Sequence, residues 1–365
     1  MRGWVMWLGG LGLLSGCDPE FAEGEEDDLR TLSAVWTSGS DGRSEISFDV
    51  EGESSFLVTL RPEAGYSAFV ETLTDPDGNQ VLVGSDFTSG SYEFTNAVYA
   101  DAVSSLGWPI TDGELSEGTW TLGVGVVDEQ LYFANGVDFE VEAQLKEDTT
   151  FSEGELAVDV VYAGSAVGDG EVIAAVEEAV AYWEDIYADI GITLDVRYWD
   201  IESDDPLNAP GVGSGDTYES IAETTRFRAI NVVIVDSLTD TGLFGMAGGI
   251  PGPLFATGQS AVVVSASMHS GDDLAFSNGE IAILGETMAH EAGHFLGLFH
   301  PVESTYDLWD VLDDTPECSS ADECQAVLEN NLMFPYPVCD SNSCVPQNEL
   351  SDGQAAVGNR YVAVR

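Results

Sequence analysis

A chain of 365 residues with 44% hydrophobic and 10% aromatic content has the length and apolar material for two domains with separate cores, which excludes wholesale disorder. Its 66 acidic residues against 10 Lys plus Arg give a formal net charge of -56. Such a surface repels phosphate backbones and anionic lipid, so nucleic acid and membrane headgroups are excluded as electrostatic partners. The excess acid reads first as a heavily solvated surface. Carboxylates are also hard-oxygen calcium ligands, although no 12-residue helix-loop-helix calcium loop is visible.

Met1-Arg2 opens a short positive segment, and residues 4–14 form an apolar run too short to span a bilayer. The run ends in Leu14-Ser15-Gly16-Cys17, which resembles a bacterial lipobox. That resemblance implies a signal peptide over 1–16, cleavage before Cys17 and acylation of its thiol. The protein is then extracytoplasmic, held at a bacterial membrane or cell surface by that lipid alone. An ordinary secretory signal is the alternative. Residues 17–30, centred on Glu25-Glu26-Asp27-Asp28, read as an acidic tether.

From 31 to 147 the pattern is one of short alternating strands, as in Ser44-Glu45-Ile46-Ser47-Phe48-Asp49-Val50, broken by turns such as Asp75-Pro76-Asp77-Gly78-Asn79. No helical period interrupts it, which predicts an antiparallel β-sandwich accessory domain of jelly-roll texture. After a linker at 147–153, a catalytic domain is expected over 155–365. Residues 156–162 read as a strand. Val172, Val176, Val180, Trp183 and Tyr187 mark an amphipathic helix over 171–188, and strands follow at 193–199, 230–235 and 261–266. Strand-helix-strand order with a late helix predicts an α/β or α+β domain with a mixed sheet. The multidomain whole thus joins an all-β module to an α/β one.

The late helix starts at Ser277-Asn278-Gly279-Glu280, with capping-box spacing. Ile281, Leu284, Met288, Ala292 and Phe295 recur every three or four residues and form a buried stripe. His290 and His294 lie one turn apart on roughly the opposite side, where two imidazoles can reach one metal, with Glu291 beside them. Gly297 lets the backbone leave the helix in a left-handed conformation, which brings His300 round as a third ligand. Three of the four histidines in the chain fall in this one run. The fourth, His269, reads as a polar loop residue.

The run His290-Glu291-Ala292-Gly293-His294-Phe295-Leu296-Gly297-Leu298-Phe299-His300 is the pattern H-E-x-x-H-x-x-G-x-x-H, which resembles the metzincin clan of zinc peptidases. The resemblance implies one catalytic zinc on His290, His294 and His300, and Glu291 as general base toward the attacking water. It also implies a methionine turn beneath the metal, matched by Asn331-Leu332-Met333-Phe334-Pro335. The stretch Asp314-Thr315-Pro316, with Cys318 close by, resembles the pappalysin family within that clan. In pappalysins a tyrosine stands two residues after the turn methionine. Here that place is Pro335, and Tyr336, one further on, is the candidate hydrogen-bond donor to the transition state. Asp313 and Thr315 are candidate calcium ligands by the same resemblance. Cys318, Cys324, Cys339 and Cys344 form an even set in an exported chain and predict two disulfides, with three pairings open.

The function these residues imply is a secreted, lipid-anchored zinc metalloendopeptidase acting on protein or peptide. The alternative is a surface adhesion or carbohydrate-binding lipoprotein whose peptidase-like domain is silent. The β module is either a binding module or an inhibitory prodomain. If the latter, it is no cysteine-switch latch, because no cysteine lies between Cys17 and Cys318.

Overall fold

The computed structural model describes residues 19, 21–26, 28–83, 103–111, 113–148, 151–201, 215–238, 242–270, 275–339 and 343–365. Cys17 and the signal segment before it lie outside them. The first nine strands are β1 (Ala22–Glu26), β2 (Leu29–Thr37), β3 (Arg43–Val50), β4 (Ser55–Pro62), β5 (Tyr66–Thr74), β6 (Gln80–Val83), β7 (Ser104–Trp108), β8 (Gly118–Asp128) and β9 (Asp138–Lys146). They form a five-stranded sheet, β1-β2-β9-β4-β7, and a four-stranded sheet, β3-β8-β5-β6, with every pairing antiparallel. Strand alternation explains the packing. In β3, Ile46, Phe48 and Val50 are buried while Glu45, Ser47 and Asp49 face water. The first set meets Trp36, Phe56, Val58 and Phe139 of the other sheet in one core, where Phe48 stands edge-on to Phe56 at 5.1 Å between ring centroids.

The expected tether over 17–30 is corrected in its second half. Residues 22–26 pair with 29–33 as a hairpin, Leu29 is buried, and the Asp28 carboxylate meets Arg228 at 2.7 Å. Edge pairing satisfies backbone groups whatever the side chains are, so a strand formed where acidity argued for an unstructured spacer.

The rest of the chain carries β10 (Gly154–Tyr162), α1 (Gly170–Ala188), β11 (Ile192–Asp200), α2 (Gly215–Thr224), β12 (Ala229–Val235), β13 (Gly245–Ala247), β14 (Val262–Ser265), α3 (Ala266–Ser270), α4 (Asn278–Phe295), α5 (Ala321–Leu328) and α6 (Asp352–Arg360). The sheet order is β11-β10-β12-β14-β13. Its first four strands run parallel and β13 closes the edge antiparallel to β14, so the sheet is mixed and the domain α/β. β12 is buried along its whole length, as a strand covered on both faces must be. Val158, Val160, Ile230 and Val232 pack under α1 and α4, while Val161, Val233 and Val263 pack under Tyr218 and Ile221 of α2. Gly285 sets the closeness of α1 and α4, because a Cβ there would lie 2.6 Å from the Ala179 carbonyl oxygen. Among the described residues, no helix is long and apolar enough to cross a membrane.

The β module is fastened to the α/β domain. Lys146, 1% exposed, donates from Nζ to the Asn359 carbonyl at 2.7 Å and pairs with Asp148 at 3.2 Å. Ser55 Oγ donates to the Arg360 carbonyl. Leu29 and Leu57 belong to the same core as α1 and α4. On this face burial, reinforced by repulsion from Glu140, pushes the Glu142 carboxyl up to about 7. A carboxyl raised by folding contributes stability that is complete below its unfolded value and is lost as pH rises through its folded one. Glu142→Gln should therefore melt progressively higher than the parent as pH goes from about 5 to about 8. A melting difference independent of pH would contradict this.

Candidate metal centre

α4 starts where Ser277 and Glu280 cap each other: the Glu280 carboxylate accepts from the Ser277 backbone at 2.7 Å and Ser277 Oγ accepts from Glu280 N. Ile281, Leu284, Met288, Ala292 and Phe295 are all buried in the main core. That stripe fixes the rotation of the helix and turns His290, Glu291 and His294 toward the sheet edge and the methionine turn. At its end Gly297 takes φ +106°, which costs a glycine least. Leu298 N then bonds back to the Gly293 carbonyl, and His300 arrives beside the helix.

Each of the three imidazoles has its Nδ1 committed. His290 Nδ1 faces the Leu332 carbonyl at 2.7 Å, His294 Nδ1 the Leu298 carbonyl at 2.7 Å, and His300 Nδ1 the Glu303 carboxylate at 3.0 Å and 3.1 Å. Acceptors at Nδ1 place the proton there and leave Nε2 with a bare lone pair. The three Nε2 atoms converge, at 3.1 Å between His294 and His300 and 3.3 Å between His300 and His290. Bare lone pairs at that separation repel one another unless a cation lies between them. Tetrahedral zinc with nitrogen ligands at roughly 2.0–2.1 Å spaces them at about 3.3 Å. The donor set therefore fits zinc, and it is the one group of three metal-ligating side chains that meets among the described residues. Burial, with the neighbouring rings, pulls His290 down to about 3 and His294 well below the usual histidine range, so both stay neutral.

Glu291 lies on the same turn, 9% exposed, against β13. A Cβ on Gly245 would come within 2.7 Å of Glu291 Cγ, and the Ala247 backbone bonds to the carboxylate. Burial pushes this carboxyl up to about 8 in the metal-free centre; a dication beside it acts in the opposite sense. Met333 is fully buried, its Sδ 2.7 Å from where a Cβ on Gly293 would be. The turn is closed by Phe334 N to the Asn331 carbonyl at 3.0 Å. It does two jobs: Met333 fills the space left by the helix glycine, and the neighbouring Leu332 carbonyl orients His290.

Tyr336 lines the same cleft as His290 and Glu291, with its hydroxyl 2.5 Å from that of Tyr306. His269 is a buried helix residue rather than a loop one: 4% exposed, in α3, between the Ser265 carbonyl and Thr287 Oγ1. Burial takes it down to about 4. The disulfides join nearest neighbours, Cys318 to Cys324 and Cys339 to Cys344. Of the calcium candidates, Asp313 is exposed and Thr315 buried, with the Thr315 hydroxyl donating to Asp310 and Leu312. It is Asp314 that ties this loop to α6, accepting from Gly353 N at 2.7 Å and Ser351 Oγ at 3.0 Å.

Sequence reasoning missed β13, whose residues read as a glycine- and proline-rich pocket wall, and it missed Glu303. An acid three residues beyond the third histidine was the available signal for Glu303. Glu303→Ala should weaken zinc binding by roughly 10–100-fold, measured by competition with a chromophoric chelator; unchanged affinity would remove Glu303 from the centre.

Residues 173–301 match the profile of the metallopeptidase family M12B, reprolysin-like. This is about a third of the chain, running from α1 to just past His300. Among solved structures, metalloproteinase-II from Bacteroides fragilis is 15% identical with a TM-score of 0.27, the match covering 50% of this chain and 59% of that one. Archaemetzincin from Methanopyrus kandleri is 16% identical with a TM-score of 0.29, covering 59% of this chain and 90% of that one. No curated protein sequence matches the chain.

Proposed function

We propose that the chain is a zinc-dependent endopeptidase, acting outside the cytoplasm and anchored through acylated Cys17. The observation that carries the reading is the meeting of three Nε2 atoms whose Nδ1 partners are already assigned, beside a buried carboxylate. The similarity of residues 173–301 to reprolysin-like metallopeptidases supports it. His290, His294 and His300 would hold the metal, which when bound acidifies water and polarises the scissile carbonyl. Glu291, held by Ala247 and packed on Gly245, takes the proton of the attacking water and delivers it to the leaving amine. Tyr336 is the candidate donor to the developing oxyanion, once its hydroxyl turns from Tyr306. Casein cleavage by the full chain that is lost on chelation and restored by zinc supports this function; cleavage that survives chelation refutes it.

The silent-domain alternative, an adhesion or carbohydrate-binding lipoprotein, predicts zinc binding without cleavage. The retained and backbone-held Glu291 argues against it. Among the described residues, none of β1 to β9 lines the cleft at His290 and Glu291, so the β-sandwich reads as a fixed buttress rather than a latch over the metal. The finer pappalysin-like assignment rests on Asp314-Thr315-Pro316 with the cysteines beside it, and calcium at the Asp313–Thr315 loop belongs to that assignment. Cys17→Ser should move the protein from the detergent phase to the aqueous phase; partition unaffected by the change would dismiss the anchor.

A further inference from the structure

The cleft at the metal centre extends along α4 toward the start of the helix. It encloses about 90 Å³, several times the roughly 10–15 Å³ one water needs, so it has room for a side chain. Its walls are mostly apolar: Phe244, Ile283, Leu332, Phe334 and Pro337. Besides Glu291, the one charged residue among the described lining is Glu286. It stands four residues before His290, one turn along the helix and on the same face. The Gln347 backbone bonds to its carboxylate. None of the ion pairs among the described residues includes it.

We propose that this cleft selects a lysine or arginine side chain on the substrate residue next to the scissile bond, with Glu286 as its counter-charge. The inference rests on the peptidase reading above. A lone carboxylate in an apolar recess is costly to keep charged, and burial alone pushes Glu286 up to about 7. A long cationic side chain resolves both features: its methylenes cover the aromatic walls and its head group meets the carboxylate. A neutral apolar side chain fills the recess but leaves the acid unpaired. An acidic one adds like-charge repulsion. The overall charge of -56 also draws in cationic peptides, but that long-range attraction is screened by salt, whereas a partly buried pair is screened much less.

The test uses the zinc-loaded full chain and three quenched fluorogenic peptides that differ only in Arg, Leu or Glu at that position. The parent should favour the Arg peptide over the Leu peptide in kcat/KM by about tenfold or more, with the Glu peptide slowest, and should keep that order in about 0.5 M salt. Glu286→Gln should bring the Arg-to-Leu ratio to within about twofold. Glu286→Lys should move the Glu peptide ahead of the Arg peptide. As a readout independent of turnover, the Arg peptide should bind Glu291→Gln more tightly by calorimetry than it binds Glu291→Gln/Glu286→Gln. Cleavage without side-chain preference, or a preference that salt or Glu286→Gln leaves behaving otherwise, overturns this inference alone. A zinc-loaded chain that cleaves none of the three and no casein overturns the peptidase reading and this inference with it.

Discussion

Glu291→Gln should keep one zinc per chain and lose peptide cleavage by about 10²–10⁴-fold in kcat, the range general-base removal produces. The substitution keeps the size of the side chain and its contact with Gly245, and it leaves all three Nδ1 partners of the histidines in place. What it removes is a group able to accept a proton. Its position explains the size of the effect. The carboxylate is buried and held by the Ala247 backbone on β13, so no solvent-exposed acid can swing in to replace it. Turnover within about twofold of the parent would mean that another group carries the proton, and the assignment of Glu291 would fall.

Lys146→Ala should destabilise the whole protein by about 3–5 kcal/mol, the cost of breaking a buried charged contact by removing one partner. Lys146 lies at the end of β9, 1% exposed, and burial pulls its ammonium below the usual lysine range. Its loss leaves the Asn359 carbonyl on α6 without its donor and Asp148 without its cation. Asn359 in turn donates from Nδ2 to the Ile190 carbonyl, just beyond α1. The change therefore reaches the support of the catalytic domain from a residue of the β module. Chemical denaturation should show one transition shifted to lower denaturant. Two separate transitions, or an unchanged midpoint, would mean that the β module and the α/β domain fold independently.

Much of the architecture was legible because it follows from short-range patterns. The alternation in 44–50 set β3, the three- and four-residue steps in 281–295 set the buried stripe of α4, and Ser277 with Glu280 set its start. The ligand triad was legible for a related reason, since helical spacing plus one glycine brings three histidines together within eleven residues. What the sequence concealed depends on tertiary contact. β13 is three residues long and contains glycine, so no propensity marks it, yet it holds Glu291. The hairpin of β1 and β2 arises from backbone pairing that acidic side chains neither require nor forbid. The buttressing of α6 by Lys146 joins residues more than 200 positions apart, beyond any periodicity. His269 looked like a loop polar residue because burial of an imidazole depends on acceptors at both nitrogens, and those come from Ser265 and Thr287.

The central claim is that His290, His294 and His300 hold one zinc through their Nε2 atoms. X-ray absorption at the zinc edge on the purified full chain tests it most directly. The account predicts one zinc per chain, with three nitrogen scatterers at about 2.0–2.1 Å in a four-coordinate shell, and loss of that shell in His300→Ala. A sulfur shell at about 2.3 Å, or stoichiometric zinc retained unchanged in His300→Ala, would contradict it.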